Sequence, residues 1–279
     1  MLKPLLACLL AAAALSAQAE RLPRWEIGAG LGGVTLPDYR GSDESRYYLL
    51  PFPYFAYRID WLQADRNGVR ARLLDSERAE LNLSLGATPP VRSKKNRARE
   101  GMSDLRPMVE FGPSLDVNLW RSAGQGTRLD LRMPLRAAFE ARSNPRAAGW
   151  VFSPRVNLDI AGLGRPEGAR DGWNLGLLAG PLFADSRQHR YFYSVDDAHA
   201  RPDRPAYRAR GGYGGTQFLA SLSRRAGDVW VGAYVRWDSL HGAVFEDSPL
   251  VRRKSYFTAG FGMTWTFARS SELVSVDDD

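Results

Sequence analysis

The chain has 279 residues, a formal net charge of +7 and a single cysteine. Its excess cations are mostly arginine and are not interleaved with aromatic residues, which argues against nucleic acid as a partner. Beyond residue 19, no continuous apolar stretch approaches the roughly 20 residues that a membrane-spanning helix needs, so a helical membrane protein is excluded.

The first 19 residues have the pattern of an export signal. Lys3 supplies a short positive region, Leu5–Leu15 an apolar run, and Ala17-Gln18-Ala19 a small-residue cleavage site. We therefore expect residues 1–19 to be removed as a signal peptide, which leaves 260 residues beginning at Glu20. Cleavage also removes the only cysteine, so no disulfide supports the mature fold.

The mature chain is a series of segments in which apolar residues alternate with polar or small ones, the two-residue period of a β-strand. The pattern predicts about twelve strands, an even number as in bacterial barrels, with ten as the alternative. In chain order the segments are Trp25–Val34, Tyr48–Arg58, Trp61–Leu73, Ala79–Ala87, Pro107–Leu119, Thr127–Phe139, Gly149–Ile160, Trp173–Phe183, Arg190–Val195, Tyr213–Ser223, Val229–Asp238 and Tyr256–Phe267.

The last segment is the most informative. One parity carries Phe257, Phe261, Trp265 and Phe267, whereas the other carries only threonine and glycine from residue 258 to residue 266. This contrast is typical of a strand with lipid on one side and a barrel interior on the other. We therefore predict an all-β fold, a closed antiparallel transmembrane β-barrel of residues 20–267. A soluble β-sandwich, which would bury the same faces against a second sheet, is the alternative.

The strand count also assigns each connection to one end of the barrel. With both termini in the periplasm, the periplasmic connections are Ile59-Asp60, Thr88–Arg106, Glu140–Ala148, Ala184–His189 and Arg224–Asp228. The outer connections are Thr35–Tyr47, Leu74–Arg78, Trp120–Gly126, Ala161–Gly172, Asp196–Gly212 and Ser239–Ser255. Barrels keep their longer loops outside, so the long inner connection Thr88–Arg106 breaks the rule. The tail 268–279, ending in three aspartates, is expected to be a solvated periplasmic extension.

Several motifs, in this order and spacing, resemble the MipA/OmpV family of Gram-negative outer-membrane proteins. They are Gly28–Gly33, Pro37–Asp43, Pro51–Tyr54, Arg66–Val69, Tyr191–Val195, Pro205–Tyr207 with Gly211-Gly212, and Asp247–Val251. The resemblance implies an outer-membrane barrel. Its namesake is a scaffold that brings a lytic murein transglycosylase together with a murein synthase. It therefore implies a scaffold rather than an enzyme, with outer-membrane lipid and these two enzymes as partners and no cofactor.

Two stretches are candidate sites. The first contains the family-motif loop residues, which are Pro37, Asp38, Tyr39, Gly41, Ser42, Ser248 and Pro249. Around Asp38–Asp43, glycine and short polar side chains favour a turn over the barrel mouth, and a ligand site is the other interpretation. The second is the one dense basic run, whose cations are Arg92, Lys94, Lys95, Arg97 and Arg99. It is either a solvated loop or a contact for an acidic periplasmic partner, such as an enzyme surface or peptidoglycan carboxylates.

Two further functions have weaker support. A lipid hydrolase would need a serine activated by histidine, and Asp238-Ser239-Leu240-His241 holds the right residue types. A small pore would have a polar lumen. Inward-facing arginines must then pair with carboxylates such as Asp130, Asp159 or Glu110, because an unpaired charge in a narrow barrel is costly. The candidate arginines are Arg128, Arg132, Arg136 and Arg155. The histidines His189, His199 and His241 lack the close spacing of a zinc site.

Overall fold

The computed structural model describes residues 20–59, 62–65, 68–71, 74–75, 78–122, 126–164 and 172–276. The proposed signal peptide, residues 1–19, and the three terminal aspartates lie outside the described residues. The strands are β1 Glu20–Pro23, β2 Trp25–Pro37, β3 Ser45–Ile59, β4 Leu62–Asp65, β5 Gly68–Ala71, β6 Leu74–Asp75, β7 Ala79–Thr88, β8 Met108–Arg121, β9 Thr127–Glu140, β10 Arg146–Phe152, β11 Arg155–Leu163, β12 Trp173–Ala184, β13 Gly212–Ala226, β14 Val229–Ser239, β15 Ser255–Arg269 and β16 Leu273–Val276. One α-helix, α1, covers Ser186–Tyr193. Three 3-10 turns cover Ser93–Lys95, Arg97–Arg99 and Asp197–His199.

Fourteen of the strand segments in the described residues form one antiparallel sheet, which we call the wall. Its order is β5-β4-β3-β2-β15-β14-β13-β12-β10-β9-β8-β7-β6, and β11 pairs with both β12 and β9. Since β10 has the same two neighbours, β10 and β11 are two halves of one strand interrupted at Ser153-Pro154. Proline has no backbone N–H to donate, which explains the break. The strands β1 and β16 form a separate two-stranded sheet.

The two faces of the wall differ as the sequence predicts. In β15, Phe257 is 70% exposed and Trp265 58%, whereas Thr258 on the opposite face is only 1% exposed. Exposed apolar residues continue across the outer face, for example Leu49 on β3 and Phe111 on β8. No second layer of the described chain covers this face. The sandwich alternative is therefore wrong, because it requires such a layer.

Two of the predicted strands are corrected. The segment predicted as one strand over residues 61–73 contains two antiparallel segments, β4 and β5, with Asp65 opposite Gly68. Residues 61, 66, 67, 72 and 73 lie outside the described part. The segment Arg190–Val195 is not a strand, because α1 occupies most of it. One error removes a strand and the other adds one. The directions predicted for the strands between residues 79 and 183 are therefore opposite to the observed ones, whereas those predicted from residue 213 onward are right.

Because these strand directions are reversed, several connections lie at the other end of the wall from the one predicted. The long connection 89–107 lies at the same end as the loop after β2, where Asn96 Nδ2 donates to Asp38 Oδ2 at 3.0 Å. The strands β1 and β16 mark the opposite end of the wall, the terminal end, so the prediction of a long inner loop was wrong. The connections 141–145 and 185–211 lie at the same end as the connection 89–107. The strands β8 and β11, whose following connections were predicted to be outer, finish at the terminal end.

The C-terminal boundary also moves. The strand β15 continues to Arg269, two residues beyond the predicted end of the barrel. The expected solvated tail contains β16, which pairs with β1 from Leu273 opposite Pro23 to Val276 opposite Glu20. Residues 20–23 and 273–276 therefore meet in one small ribbon.

Candidate functional site: a folded cap at one end of the wall

Five connections meet at the end of the wall opposite β1 and β16, and we call them together the cap. They are residues 38–44, 89–107, 141–145, 185–211 and 240–254. A buried apolar cluster joins most of them. Its members are Tyr39, Val91, Leu105, Tyr193, Val195, Ala209, Leu240, Ala243, Phe245 and Leu250. The cap therefore has a core of its own, as a small water-soluble domain does.

Phe245 and Tyr193 form the centre of this core. Their rings stack with centroids 3.7 Å apart, and His189 meets Phe245 edge-on at 4.6 Å. Burial raises the pKa of Tyr193 to about 12, so its hydroxyl remains protonated and donates to the Arg40 carbonyl at 3.0 Å. Burial also lowers the pKa of His189, whose Nδ1 lies 2.7 Å from the Arg210 carbonyl oxygen.

The helix α1 supplies two of these rings. Its start is fixed by Asp185, whose Oδ1 accepts a hydrogen bond from the backbone N–H of Gln188 at 2.9 Å. An aspartate followed three residues later by glutamine is a helix-start signal. The strand prediction failed here because the β-forming sequence Tyr-Phe-Tyr was read without that signal and without the distant Phe245.

The seven family-motif residues all lie in the cap or at its edge. Pro37 ends β2, and Pro249 lies in the connection 240–254. The Tyr39 hydroxyl donates to the Leu250 carbonyl at 2.8 Å, and the Ser248 hydroxyl donates to the Tyr193 carbonyl at 2.7 Å. These bonds tie together segments far apart in the chain. The contacts favour the turn interpretation of this loop over the ligand-site interpretation.

Glycine is required at position 41. Its φ is +92°, a region that residues with a Cβ rarely adopt, and a Cβ there would lie 2.8 Å from Leu240 Cδ1. The Gly41 carbonyl accepts two hydrogen bonds, from the backbone N–H groups of Arg252 at 2.7 Å and Arg253 at 3.0 Å. The first connection is thereby fastened to the last.

A polar latch joins the first connection to the second. Asp38 is buried and accepts from Arg46 Nε at 2.6 Å and from Asn96 Nδ2 at 3.0 Å. Asn96 also donates to the Ser42 hydroxyl at 3.0 Å. Because Asp38 and Asn96 are buried, these bonds are not exposed to competition from water.

The five cations of the basic run do not form one surface. Arg99 is 3% exposed and donates to the carbonyls of Phe192 and Ser103, and burial lowers its pKa. Arg97 pairs with Asp43 and Glu44 at 3.0 and 3.2 Å. The side chains of Arg92, Lys94 and Lys95 are exposed. Their contact with an acidic partner stays a prediction, and that partner would have to meet them at the cap end.

Asp238 joins the cap to the inner face of the wall. Its carboxylate is completely buried and accepts from Arg236 Nε at 2.7 Å, Gln217 Nε2 at 2.7 Å and Arg40 Nε at 3.3 Å. Arg40 comes from the first connection and also donates to the Gly214 carbonyl at 2.8 Å. Two arginines thus share one carboxylate at the junction.

The same bonds bear on the hydrolase alternative. The Asp238 carboxylate is occupied by arginine and glutamine rather than by a histidine. The Ser239 hydroxyl accepts a hydrogen bond from the backbone N–H of His241 at 3.4 Å. Among the described residues no hydrogen bond joins that hydroxyl to the His241 ring. The stretch therefore lacks the relay that activates a serine nucleophile.

The inner face of the wall carries ion pairs, as the inward-facing arginines require. Arg128 pairs with Asp130 at 2.8 Å, Arg132 with Asp159 at 3.6 Å, and Arg136 with Glu110 at 3.0 Å. The predicted pairing is confirmed for these three arginines.

Arg155 is the exception among the four. It faces Arg132 across the strand pair, and within the described residues it has no carboxylate within 4 Å. Its Nε is buried without a hydrogen-bond partner in the same part of the chain. A like charge directly opposite on the neighbouring strand is unfavourable, so Arg155 is a point of electrostatic strain on the inner face.

Other classes of site find little support in the described part of the chain. No three His, Cys, Asp or Glu side chains gather there in a way that would hold a metal ion. His199 instead bonds to Asp196 through Nδ1. Within the same residues, no helix has the length and apolar character needed to cross a membrane.

Sequence reasoning missed the core of the cap. Leu240, Phe245 and Leu250 lie in a connection that the sequence predicts to be a loop, and Val91 and Leu105 flank the basic run. The available signal was large apolar residues inside long polar connections. In a solvated loop these apolar side chains would be exposed to water, whereas a folded cap buries them.

Comparison with known proteins gives one family and 15 similar chains among solved structures, including two outer-membrane proteins. The family model described as MltA-interacting protein MipA matches residues 29–267, and no curated protein matches. A bacterial polysaccharide outer membrane secretin is 12% identical, with a TM-score of 0.45 over 87% of this chain and 99% of that chain. An outer membrane channel from Pseudomonas putida F1 is 13% identical, with a TM-score of 0.44 over 90% of this chain and 98% of that chain.

Proposed function

The chain belongs to the MltA-interacting protein MipA family, and from this premise we propose that it is an outer-membrane β-barrel that anchors murein-remodelling enzymes without being an enzyme itself. The observation that carries the membrane location is the uncovered apolar outer face of the wall. Phe257, Phe261 and Trp265 on β15 are all more than half exposed. In water such a face would drive aggregation, whereas in lipid it is favourable.

We propose that the wall closes into a barrel of twelve strands. The two ends of the pairing order are β5 and β6, which only two residues separate in the chain. If β5 and β6 count as one strand, paired with β4 through β5 and with β7 through β6, the sheet has no free edge. The segments β10 and β11 likewise count as one strand. A sheet in the hydrocarbon layer must be closed, because an open edge would leave backbone N–H and C=O groups without hydrogen-bond partners.

The lengths of the connections support one orientation. The long connections lie in the cap, whereas β13 and β14 are joined at the other end by Gly227-Asp228 alone. Outer-membrane barrels have short periplasmic turns and longer outer loops, so the cap faces outward and the termini face the periplasm. The surface offered to a periplasmic transglycosylase and synthase is then the terminal end. It includes the β1–β16 ribbon, where Arg24 pairs with Glu272 at 3.0 Å, and the Arg269–Asp228 pair.

Site-specific photo-cross-linking in intact cells tests this proposal. A photoreactive residue replaces Leu273, which is half exposed on the ribbon, and in a second strain it replaces Lys94 on the cap. We expect capture of a murein transglycosylase from position 273 and none from position 94. Both variants should keep heat-modifiable gel mobility, which reports an intact barrel. Capture from position 94 alone would refute the orientation, and capture from neither position would refute the scaffold.

A second candidate function is a small pore, and Arg155 is the observation that favours it. An inner-face cation without a partner carboxylate among the described residues would attract an anion into the lumen. The buried core of the cap argues against an open pore, because the cap lies at one end of the wall, where a pore would need an entrance. Single-channel conductance in planar bilayers decides between them. A sealed scaffold gives no steps, whereas a pore gives steps whose anion preference falls in Arg155→Gln.

A further inference from the structure

The positive charge of this chain is concentrated in the cap. The five cap connections contain 17 Lys and Arg against 11 Asp and Glu, a net charge of +6 out of +7 for the whole chain. The rest of the chain is therefore nearly neutral. A charge imbalance restricted to one end of a membrane protein makes a field that acts on the adjacent membrane surface.

Many acidic groups of the cap are engaged inside it. Asp38 bonds to Arg46 and Asn96, Asp104 accepts from the Ser93 backbone, and Asp185 caps α1. Asp43 and Glu44 both pair with Arg97. Five of the eleven cap carboxylates are thus held by contacts within the cap. Among the exposed cap residues, 13 Lys and Arg stand against 6 Asp and Glu, which is a surplus of cations on the surface.

Four of the exposed cations lie where the wall meets the cap, and we call them the rim. Arg106 lies two residues before β8, Arg146 opens β10, Arg187 lies in the first turn of α1 after β12, and Arg253 lies two residues before β15. All four are exposed, and within the described residues none has a carboxylate within 4 Å. They are distributed along the edge of the sheet rather than gathered at one point.

Each rim arginine has an apolar residue of the outer face three or four positions away along the chain. The partners are Val109 for Arg106, Trp150 for Arg146, Phe183 for Arg187 and Phe257 for Arg253, and all are exposed. Four residues of extended chain span at most about 13 Å, and less in depth where a strand is tilted or, before Arg187, where α1 begins. A cation at that distance from the hydrocarbon lies in the headgroup layer.

We propose that the rim binds the phosphate groups of outer-leaflet lipid. The inference rests on the proposed membrane location and orientation. Guanidinium groups match phosphate oxygens with two parallel hydrogen bonds, which makes arginine suited to this contact. A free phosphate ion needs donors that converge on one point, which four separated strand ends do not provide. Lipid headgroups surround the barrel and reach every strand end, so the spread of the rim fits lipid.

The test is lipid enrichment by the purified full-length chain in vesicles of phosphatidylcholine with a small fraction of bisphosphorylated lipid A. The rim variant carries Arg106, Arg146, Arg187 and Arg253→Gln. The matched control carries Arg92, Lys94, Lys95 and Arg208→Gln, which removes the same charge from exposed cap positions. We expect enrichment by the wild type and the control, and at least a tenfold loss in the rim variant, given the contribution of each cation near a charged membrane. An Arg→Lys rim variant should retain part of the binding.

Several outcomes would overturn the proposal. Equal loss in rim and control variants would mean attraction to the cap as a whole. Undiminished binding of dephosphorylated lipid A would remove phosphate as the ligand. Displacement of the lipid by millimolar inorganic phosphate would point to a free anion site. Insertion into pure phosphatidylcholine, read by heat-modifiable mobility, is scored separately. A wild-type chain that fails to insert refutes the membrane location, whereas one that inserts without enriching lipid A refutes only the rim.

Discussion

The cap and the wall place aromatic side chains in opposite surroundings. In the cap, Phe245 is fully buried and stacks on Tyr193, while in the wall Phe257 is 70% exposed and Phe261 58%. The polar groups are reversed in the same way. The wall turns its ion pairs inward and its apolar residues outward, whereas the cap turns its apolar residues inward and its surplus cations outward. One chain therefore folds for two solvents, with lipid around the wall and water around the cap.

The sharpest test of this contrast is the junction at Asp238. The substitution Asp238→Asn leaves the partly buried guanidinium groups of Arg40 and Arg236 around a neutral amide. We expect a loss of about 3–5 kcal/mol, because removing one partner of a buried ion pair leaves the other charge uncompensated. The measurement is the free energy of unfolding in detergent. Arg97→Gln is the matched control, since Arg97 pairs with Asp43 at a site where its side chain is 80% exposed. If Asp238→Asn lowers the free energy of unfolding no more than Arg97→Gln does, the role of Asp238 is contradicted.

A cavity in the core of the cap should cost a similar amount. Phe245→Ala removes the ring that stacks on Tyr193, and we expect a loss of about 3–5 kcal/mol from the cap. Limited proteolysis within residues 240–254 reports the opening. Phe261→Ala on the lipid-facing side of β15 is the control and should leave that cleavage unchanged. Equal sensitivity of the two variants would mean that the cap has no separate core.

Glycine positions give a smaller effect. Gly41→Ala forces a side chain into a φ of +92° and against Leu240, and we expect a cost of about 1–3 kcal/mol. Gly262 in the wall is the control, because a Cβ there meets Trp230 at an ordinary 3.5 Å. Thermal unfolding of both variants in detergent makes the comparison. A Gly262→Ala variant that is less stable than Gly41→Ala would reverse the expected order.

The smallest expected effect is a pH dependence confined to the cap. Burial lowers the pKa of His189, so the unfolded cap binds a proton more readily than the folded one. Stability is therefore full above the unfolded value of about 6.5 and falls as the pH drops below it. Proteolysis of the cap between pH 8 and pH 5 measures this. His189→Asn keeps a donor toward the Arg210 carbonyl and should flatten the profile, and an unchanged profile would rule out His189 as its cause.

The sequence by itself determined the local features of the wall. The two-residue period of β15 assigned Phe257 and Thr258 to opposite faces, since successive side chains of a strand point to opposite sides. The need to compensate inner charges likewise predicted that the inward arginines pair with carboxylates such as Asp130 and Glu110, and the structure assigns these to Arg128 and Arg136. These inferences succeeded because each depends on neighbours in the same strand or on a general cost of unpaired charge.

Only the tertiary structure decided the cap and, with it, the ends to which the connections belong. The Tyr39 hydroxyl donates to the Leu250 carbonyl across 211 positions of sequence. No pattern within either segment predicts that the two segments are in contact. The sequence Tyr191-Phe192-Tyr193 favours a strand by propensity, yet it ends a helix capped by Asp185 and packed on Phe245. Propensity is worth tenths of a kcal/mol per residue, whereas burying a large aromatic ring is worth about 2 kcal/mol, so the distant contact prevails.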